Sequence, residues 1–411
     1  MLFLLCLLAP TFHPAPQPVV RLRHIVRMSE DAAAAAATKK AAAAARTPFG
    51  DDELDSAVRS LQTLAPEFGQ CAAVRELFAK SAHADHKMWA NTEANAEELR
   101  GIIGGPSDSI FRKIFMRVLQ DGNFAVAESA ASARTPSSKP WIVLVTGLNG
   151  IRKTTSVQQP WFKEVLREAL GEQFEGDASE LPTGGNSFFR QLDYMIATLA
   201  LTEFEKLYTL RDIATYAATK DAIFARYRTA AEMLGVLLIR EAQQRRMNVM
   251  VETSGRDIGM YEYVDHLFPD DSYRKLVLNF EISDIRFAER SVDARMEREM
   301  ADGEMALSAG DPMAVVRANA GGPYGSAALV GVQADSRRVW QTIVNGGPGD
   351  VGHAWYKASV AINAESSAPW TCQAVGSPRT YEFGPPRGAA ASFAEDQRNP
   401  CVGEDGEACA F

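Results

Sequence analysis

The chain has 411 residues, 46% of them hydrophobic and 23% charged, with a formal net charge of -9. That balance is globular, and the length exceeds the usual single-domain range, so one large domain with appendages or two domains is expected. The acidic charge argues against a dedicated nucleic-acid binder, whose first sign is a basic footprint. Any phosphate it binds must be met by locally focused positive charge. The five cysteines, Cys6, Cys71, Cys372, Cys401 and Cys409, show no C-x-x-C spacing and suggest neither a zinc site nor a disulfide framework.

Residues 2–9 form an apolar run of signal-peptide length without a basic region before it. Residues 10–48 are proline-rich, then basic at Arg21, Arg23 and Arg27, then alanine-rich. Two readings stay open: a targeting presequence, such as a two-part organellar one, or an upstream extension with translation starting at Met28. Either way residues 1–48 are set apart from the fold, and the compartment is left open between cytoplasm and organelle. No segment reaches the ~20 apolar residues of a membrane helix, so no stable membrane insertion is expected. Residues 49–134 read as a helical domain, with Leu54, Val58 and Leu61 on one stripe and Ile110, Ile114 and Val118 recurring every fourth residue. Cys71, His83, His86 and Trp89 lie there without the spacing of a metal site. Residues 131–140 have the composition of a linker.

The segment 141–155, Trp-Ile-Val-Leu-Val-Thr-Gly-Leu-Asn-Gly-Ile-Arg-Lys-Thr-Thr, is the most informative stretch. Its apolar start suits a strand covered on both faces, Gly147 marks the turn out of it, and Lys153-Thr154 should open a helix. In the P-loop pattern G-x-x-x-x-G-K-[ST], backbone N–H groups wrap phosphates, the lysine reaches the outer phosphates and the hydroxyl after it holds Mg²⁺. Gly147, Lys153 and Thr154 match; Arg152 stands where the second glycine belongs, with Gly150 two residues earlier. The nucleotide-binding candidates are therefore Gly147, Leu148, Asn149, Gly150, Ile151, Arg152, Lys153, Thr154 and Thr155, with Thr154 as the metal ligand, Mg²⁺ as cofactor and ATP or GTP as co-substrate. Lys153 is expected to face solvent. Pro160 should end or kink the new helix at about its second turn.

Further on, Ser187 suits the cap of a helix through residue 208, with Phe188, Leu192, Met195 and Leu199 on one face. A second helix is expected over 212–246, a strand over 248–252, a strand over 275–282 and an arginine-rich helix over 284–300. Short apolar strands separated by helices imply an α/β fold with a parallel sheet, here a P-loop three-layer arrangement over residues 135–345 behind the helical domain. Ligands in such sheets bind at the carboxyl ends of the strands, which brings the loop, residues 252–257 and Asp284 side by side. Residues 346–383 form a C-terminal extension, with a strand over 355–363 and a hairpin over 371–383. Residues 384–411 have the composition of a flexible tail.

The order of P-loop, long helical insertion, strand running into Val251-Glu252-Thr253-Ser254-Gly255-Arg256-Asp257, next strand and arginine-bearing helix resembles the zeta-toxin group of P-loop small-molecule kinases. The resemblance spans residues 141–345. It implies ATP- or GTP-dependent phosphoryl transfer to a hydroxyl of a small molecule, often a nucleotide sugar. It also implies an acidic base near an arginine in the segment aligned with Asn186 to Arg190, for which Asp193 is the nearest carboxylate.

Phosphoryl transfer asks mainly for positioning and charge neutralisation. Lys153, Glu252, Arg286, Arg290 and Asp193 are the catalytic candidates. Glu252 either binds an acceptor hydroxyl or metal-bound water, or makes a structural bond to the neighbouring loop. Arg286 and Arg290 share a helical face and suit a clamp on the γ-phosphate, or else form a solvated salt-bridge surface with Glu289, Asp293, Glu297 and Glu299. Two alternatives to the kinase remain: an inactive nucleotide-binding module, which Arg152 would explain, and a P-loop NTPase, which would need a second acidic pair.

Overall fold

A computed structural model of the protein describes residues 46–346, 351–364 and 369–383. The N-terminal presequence or extension, up to residue 45, and the tail over 384–411 lie outside the described residues. So do Cys6, Cys401 and Cys409.

The strands are β1 (Trp141–Thr146), β2 (Ser187–Arg190), β3 (Asn248–Glu252), β4 (Arg274–Ile282), β5 (Tyr356–Asn363), β6 (Thr371–Ala374) and β7 (Tyr381–Glu382). They form one sheet in the order β2-β3-β1-β4-β5-β6-β7. β2, β3, β1, β4 and β5 run parallel, and β6 and β7 continue antiparallel. Every residue of β1 is buried, so the sheet is covered on both faces at its centre, as its unbroken apolar run requires. The chain leaves β1 toward β2 and β3 on one side and then crosses to β4 on the other. β1 is therefore the switch point, and the crevice beyond its carboxyl end is where such a sheet binds ligands.

The fold is α/β with a helical N-terminal region. The helices Asp51–Leu64 and Trp89–Ile103 pack on the inserted helices, the first on Leu192–Leu199 and Leu201–Leu207, the second on Ile213–Gln244. One hydrophobic core runs from Phe49 through the sheet to Ala374. The 32-residue helix Ile213–Gln244, about 48 Å long at 1.5 Å per residue, is capped by Asp212 and spans this core. Among the described residues no helix is long and apolar enough to cross a membrane.

Two elements depart from the sequence pattern. Residues 187–190 are a strand, not the start of a helix: all four are buried and pair with Asn248 to Val251 of β3. Phe188 and Phe189 are aromatic residues that favour strands, and the one charge, Arg190, is neutralised by Glu232 from the inserted helix. That partner is distant in sequence and invisible to periodicity. The helix begins only at Leu192 and breaks at Ala200. The second departure is the helix after β4, which runs Ile285–Ala309, beyond the expected end at residue 300. It stops at Gly310, whose left-handed backbone closes it.

Candidate functional site

The loop after β1 is shaped by three left-handed or glycine-only positions. A side chain on Gly147, at φ +130°, would stand 2.5 Å from the Phe280 carbonyl of β4, and one on Gly150 would press on Val292 and Ala288 of the helix Ile285–Ala309. Leu148 and Ile151 turn inward and are buried, anchoring the loop to the core. Arg152 has φ +60° and ψ +34°, the conformation that glycine supplies at little cost and that an L-residue adopts at about 1–2 kcal/mol. Its guanidinium lies 4.4 Å from the centre of the Trp370 ring. The backbone angle that made glycine the expected residue is thus present, and the arginine side chain is stacked on the C-terminal extension.

Lys153 opens the helix Lys153–Val157, which ends before Pro160; a second helix, Phe162–Leu170, follows. Contrary to expectation Lys153 does not face solvent. Only 2% of its side chain is exposed, and its Nζ donates to the carbonyls of Gly147 at 2.9 Å and Leu148 at 2.8 Å. The ammonium curls into the loop because those carbonyls point inward and Glu252 Oε1 stands 3.3 Å away. Burial holds its pKa below the usual lysine value, with Glu252 opposing the shift. Thr154 Oγ1 donates to the other oxygen of Glu252. One carboxylate at the end of β3 therefore joins the two side chains that the loop pattern singles out, because β3 lies directly beside β1, with Glu252 paired to Val145. Thr155 is partly exposed beside them.

Asp193, at the start of the helix Leu192–Leu199, is partly buried. It belongs to the same group: Lys153 and Glu252 both lie within its electrostatic reach. Burial raises its pKa, against the pull of Lys220 and Arg295. A Cβ built on Gly322 would stand 3.0 Å from Asn149 Nδ2 and 3.6 Å from a carboxylate oxygen of Asp193, so these two side chains face the same segment. The Arg295 guanidinium donates to the Gly322 carbonyl at 2.9 Å and stands 3.5 Å from Glu299.

Arg286 and Arg290, by contrast, are exposed. Arg290 stands 3.8 Å from Asp284 and beside the Phe287 ring. The inward stripe of their helix is Ala288, Ser291, Val292, Arg295, Met296 and Glu299. The arginine turned toward the loop is therefore Arg295, which the sequence reading passed over; the apolar spacing of Ala288, Val292 and Met296 is the signal that marks its face. Arg190 is buried against Glu232 and the Tyr263 ring.

Beneath the site lies a buried charge network. Lys220 Nζ donates to Glu299 at 2.6 Å and Tyr216 OH donates to the same oxygen at 3.0 Å. Arg228 reaches Glu232 at 2.7 Å. A shallow cleft beside the loop is lined by Gly147, Leu148, Asn279, Glu281, Ser336 and Arg337, among others. Among the described residues no cluster of three or more His, Cys, Asp or Glu side chains is arranged to hold a metal ion alone.

No protein-family model and no curated protein sequence matches the chain. Among solved structures it is similar to one described as the PezAT chromosomal toxin-antitoxin system of the human pathogen Streptococcus pneumoniae. Identity is 14%, the match covers 60% of this chain and 79% of that one, and the TM-score is 0.32.

Proposed function

We propose that the loop 147–155 binds the phosphates of ATP or GTP and that the protein transfers a phosphoryl group to a hydroxyl of a small molecule, as zeta-toxin-like kinases do. The observation that carries this reading is the Glu252 carboxylate, which joins Lys153 and Thr154 at the carboxyl end of the central strands. A buried lysine, a helix-opening hydroxyl and a carboxylate from the adjacent strand thus converge at the switch point of the sheet, where folds of this class bind ligands.

In this reading Lys153 turns from the loop carbonyls to the outer phosphates. Thr154 and Glu252 supply the two hard oxygen donors that suit Mg²⁺, an ion that is usually held by one or two protein oxygens together with substrate phosphates. Bound there, Mg²⁺ would neutralise charge on the transferred group. Asp193, as the carboxylate, accepts the proton of the acceptor hydroxyl. The hydroxyl oxygen bonds to the γ-phosphorus as its bond to the nucleoside diphosphate breaks. Arg295 replaces Arg286 and Arg290 as the cation facing the site, and the exposed pair is assigned to the surface.

Titration with ATP and GTP, with and without Mg²⁺, tests the binding step. Micromolar affinity that depends on Mg²⁺ supports it, and the absence of binding at millimolar nucleotide overturns it. One observation favours a second reading, a nucleotide-binding module without transfer: Arg152 takes the glycine position and directs its charge to Trp370. Nucleotide binding without turnover across a panel of hydroxyl acceptors would select that reading.

A further inference from the structure

The hairpin that follows the parallel strands packs on the helix Phe162–Leu170, and Trp370, just before the hairpin, reaches the loop. Trp161, just ahead of the helix Phe162–Leu170, donates its indole N–H to the Glu382 carbonyl at 2.8 Å and stacks on Tyr381 at 5.4 Å. Glu168 of that helix accepts from Ser377 at 2.6 Å and Arg379 at 2.9 Å. Phe383 meets both Trp161 and Trp370 edge-on, and Trp370 packs against Phe287 at 4.1 Å. Trp370 thus sits in an aromatic frame built by the helix after β4 and the hairpin, with its face offered to the Arg152 guanidinium.

Arg152 is the residue immediately before Lys153 and carries a left-handed backbone. Its angles decide where the amide groups of the loop point and where Lys153 enters its helix. A guanidinium over an indole face is held by the ring quadrupole, and tryptophan is the strongest partner for it. The attraction opposes the strain of the left-handed backbone.

We propose that Trp370 is a positioning residue of the nucleotide-binding loop: by holding Arg152 it keeps the loop in its glycine-like conformation, so the C-terminal hairpin is part of the site's architecture. This rests on the nucleotide-binding reading of the loop. It accounts for how an arginine stands in a glycine position without collapse of the loop, and it makes the site depend on a segment far from it in sequence.

The test is a double-mutant cycle of Trp370→Ala and Arg152→Gly, with Trp370→Phe as the conservative variant, read by Mg²⁺-ATP affinity and by thermal melting. Trp370→Ala should weaken nucleotide binding about tenfold in the Arg152 background and less than twofold in the Arg152→Gly background, where no strained arginine needs holding. Trp370→Phe should keep most of the affinity, since a smaller aromatic face remains. Where turnover is measurable, KM for the nucleotide should rise with kcat unchanged. Equal losses in both backgrounds, or no loss in either, overturn the proposal. If the wild-type protein binds no nucleotide, the functional reading fails by itself, and melting still decides the contact: the two substitutions must be non-additive in Tm, and additive shifts overturn it.

Discussion

Replacing Lys153 by methionine tests the geometry and the function together. The substitution keeps the unbranched stem and most of the volume, so packing changes little. It removes a buried ammonium that donates at 2.9 Å and 2.8 Å to two loop carbonyls and faces Glu252 at 3.3 Å. Hydrogen bonds to a charged group contribute about 1.5–3 kcal/mol each, and removing one partner of a buried pair commonly costs about 3–5 kcal/mol. Two effects reduce that figure here: the ammonium no longer has to be desolvated, and the Glu252 side chain is 33% exposed, so water can reach it once the lysine is gone. A loss of about 2–4 kcal/mol is expected, seen as a lower urea midpoint at unchanged slope, together with loss of nucleotide affinity. A wild-type midpoint would refute the inward placement of the ammonium, and wild-type nucleotide affinity would refute the phosphate-binding role of the loop.

The acid limb of the activity profile should lie above the ordinary carboxylate range, because only ionised Asp193 accepts a proton and burial raises its pKa. Asp193→Asn should abolish turnover and, since the fold favours the neutral form, should melt no lower than wild type at pH 7; retained turnover would remove Asp193 from the mechanism. Arg295→Met should cost about 1–3 kcal/mol, because the Gly322 carbonyl loses its charged donor while Glu299 keeps Lys220 and Tyr216, and should reduce turnover. The double change of Arg286 and Arg290 to Ala should stay within ~0.5 kcal/mol and leave turnover intact; the reverse ranking would restore the exposed pair as the clamp. The Cys372 thiol, pushed up to about 12 by burial, should resist alkylation at pH 8 until denaturant is added, as read cysteine by cysteine in a mass spectrometer; prompt labelling would show that β6 opens readily.

What was legible in the sequence is what local chemistry writes into it. The unbroken apolar run of β1, the glycines of the loop, the helix starts near Asp212 and Asp284 and the break at Pro160 each depend on a few neighbouring residues, and each appears where its pattern points. What was hidden depends on partners far away in the chain. Residues 187–190 are extended because β3 offers an edge and Glu232 neutralises Arg190. Lys153 faces inward because Glu252, from a strand almost a hundred residues later, closes the loop from the side. Arg295 was hidden differently, since its helix carries several arginines and charge pattern alone favoured the exposed pair. The inward stripe of Ala288, Val292 and Met296 distinguishes the faces, and Arg295 lies on it.

The charges beneath the loop fix geometry more than they add stability. Lys220 and Glu299 are fully buried, with 0% of either side chain exposed, and Arg190 and Glu232 are nearly so. Such pairs are weak evidence for stability, because desolvation offsets much of their attraction and well-packed apolar residues often do as well. What a network of this kind does supply is fixed geometry. Glu299 is held by Lys220 and Tyr216, and in turn fixes Arg295 and the backbone of Ala320, so the segment that faces Asn149 and Asp193 is set from below. Rigid support under a few partly exposed polar groups is what the proposed phosphoryl transfer would require.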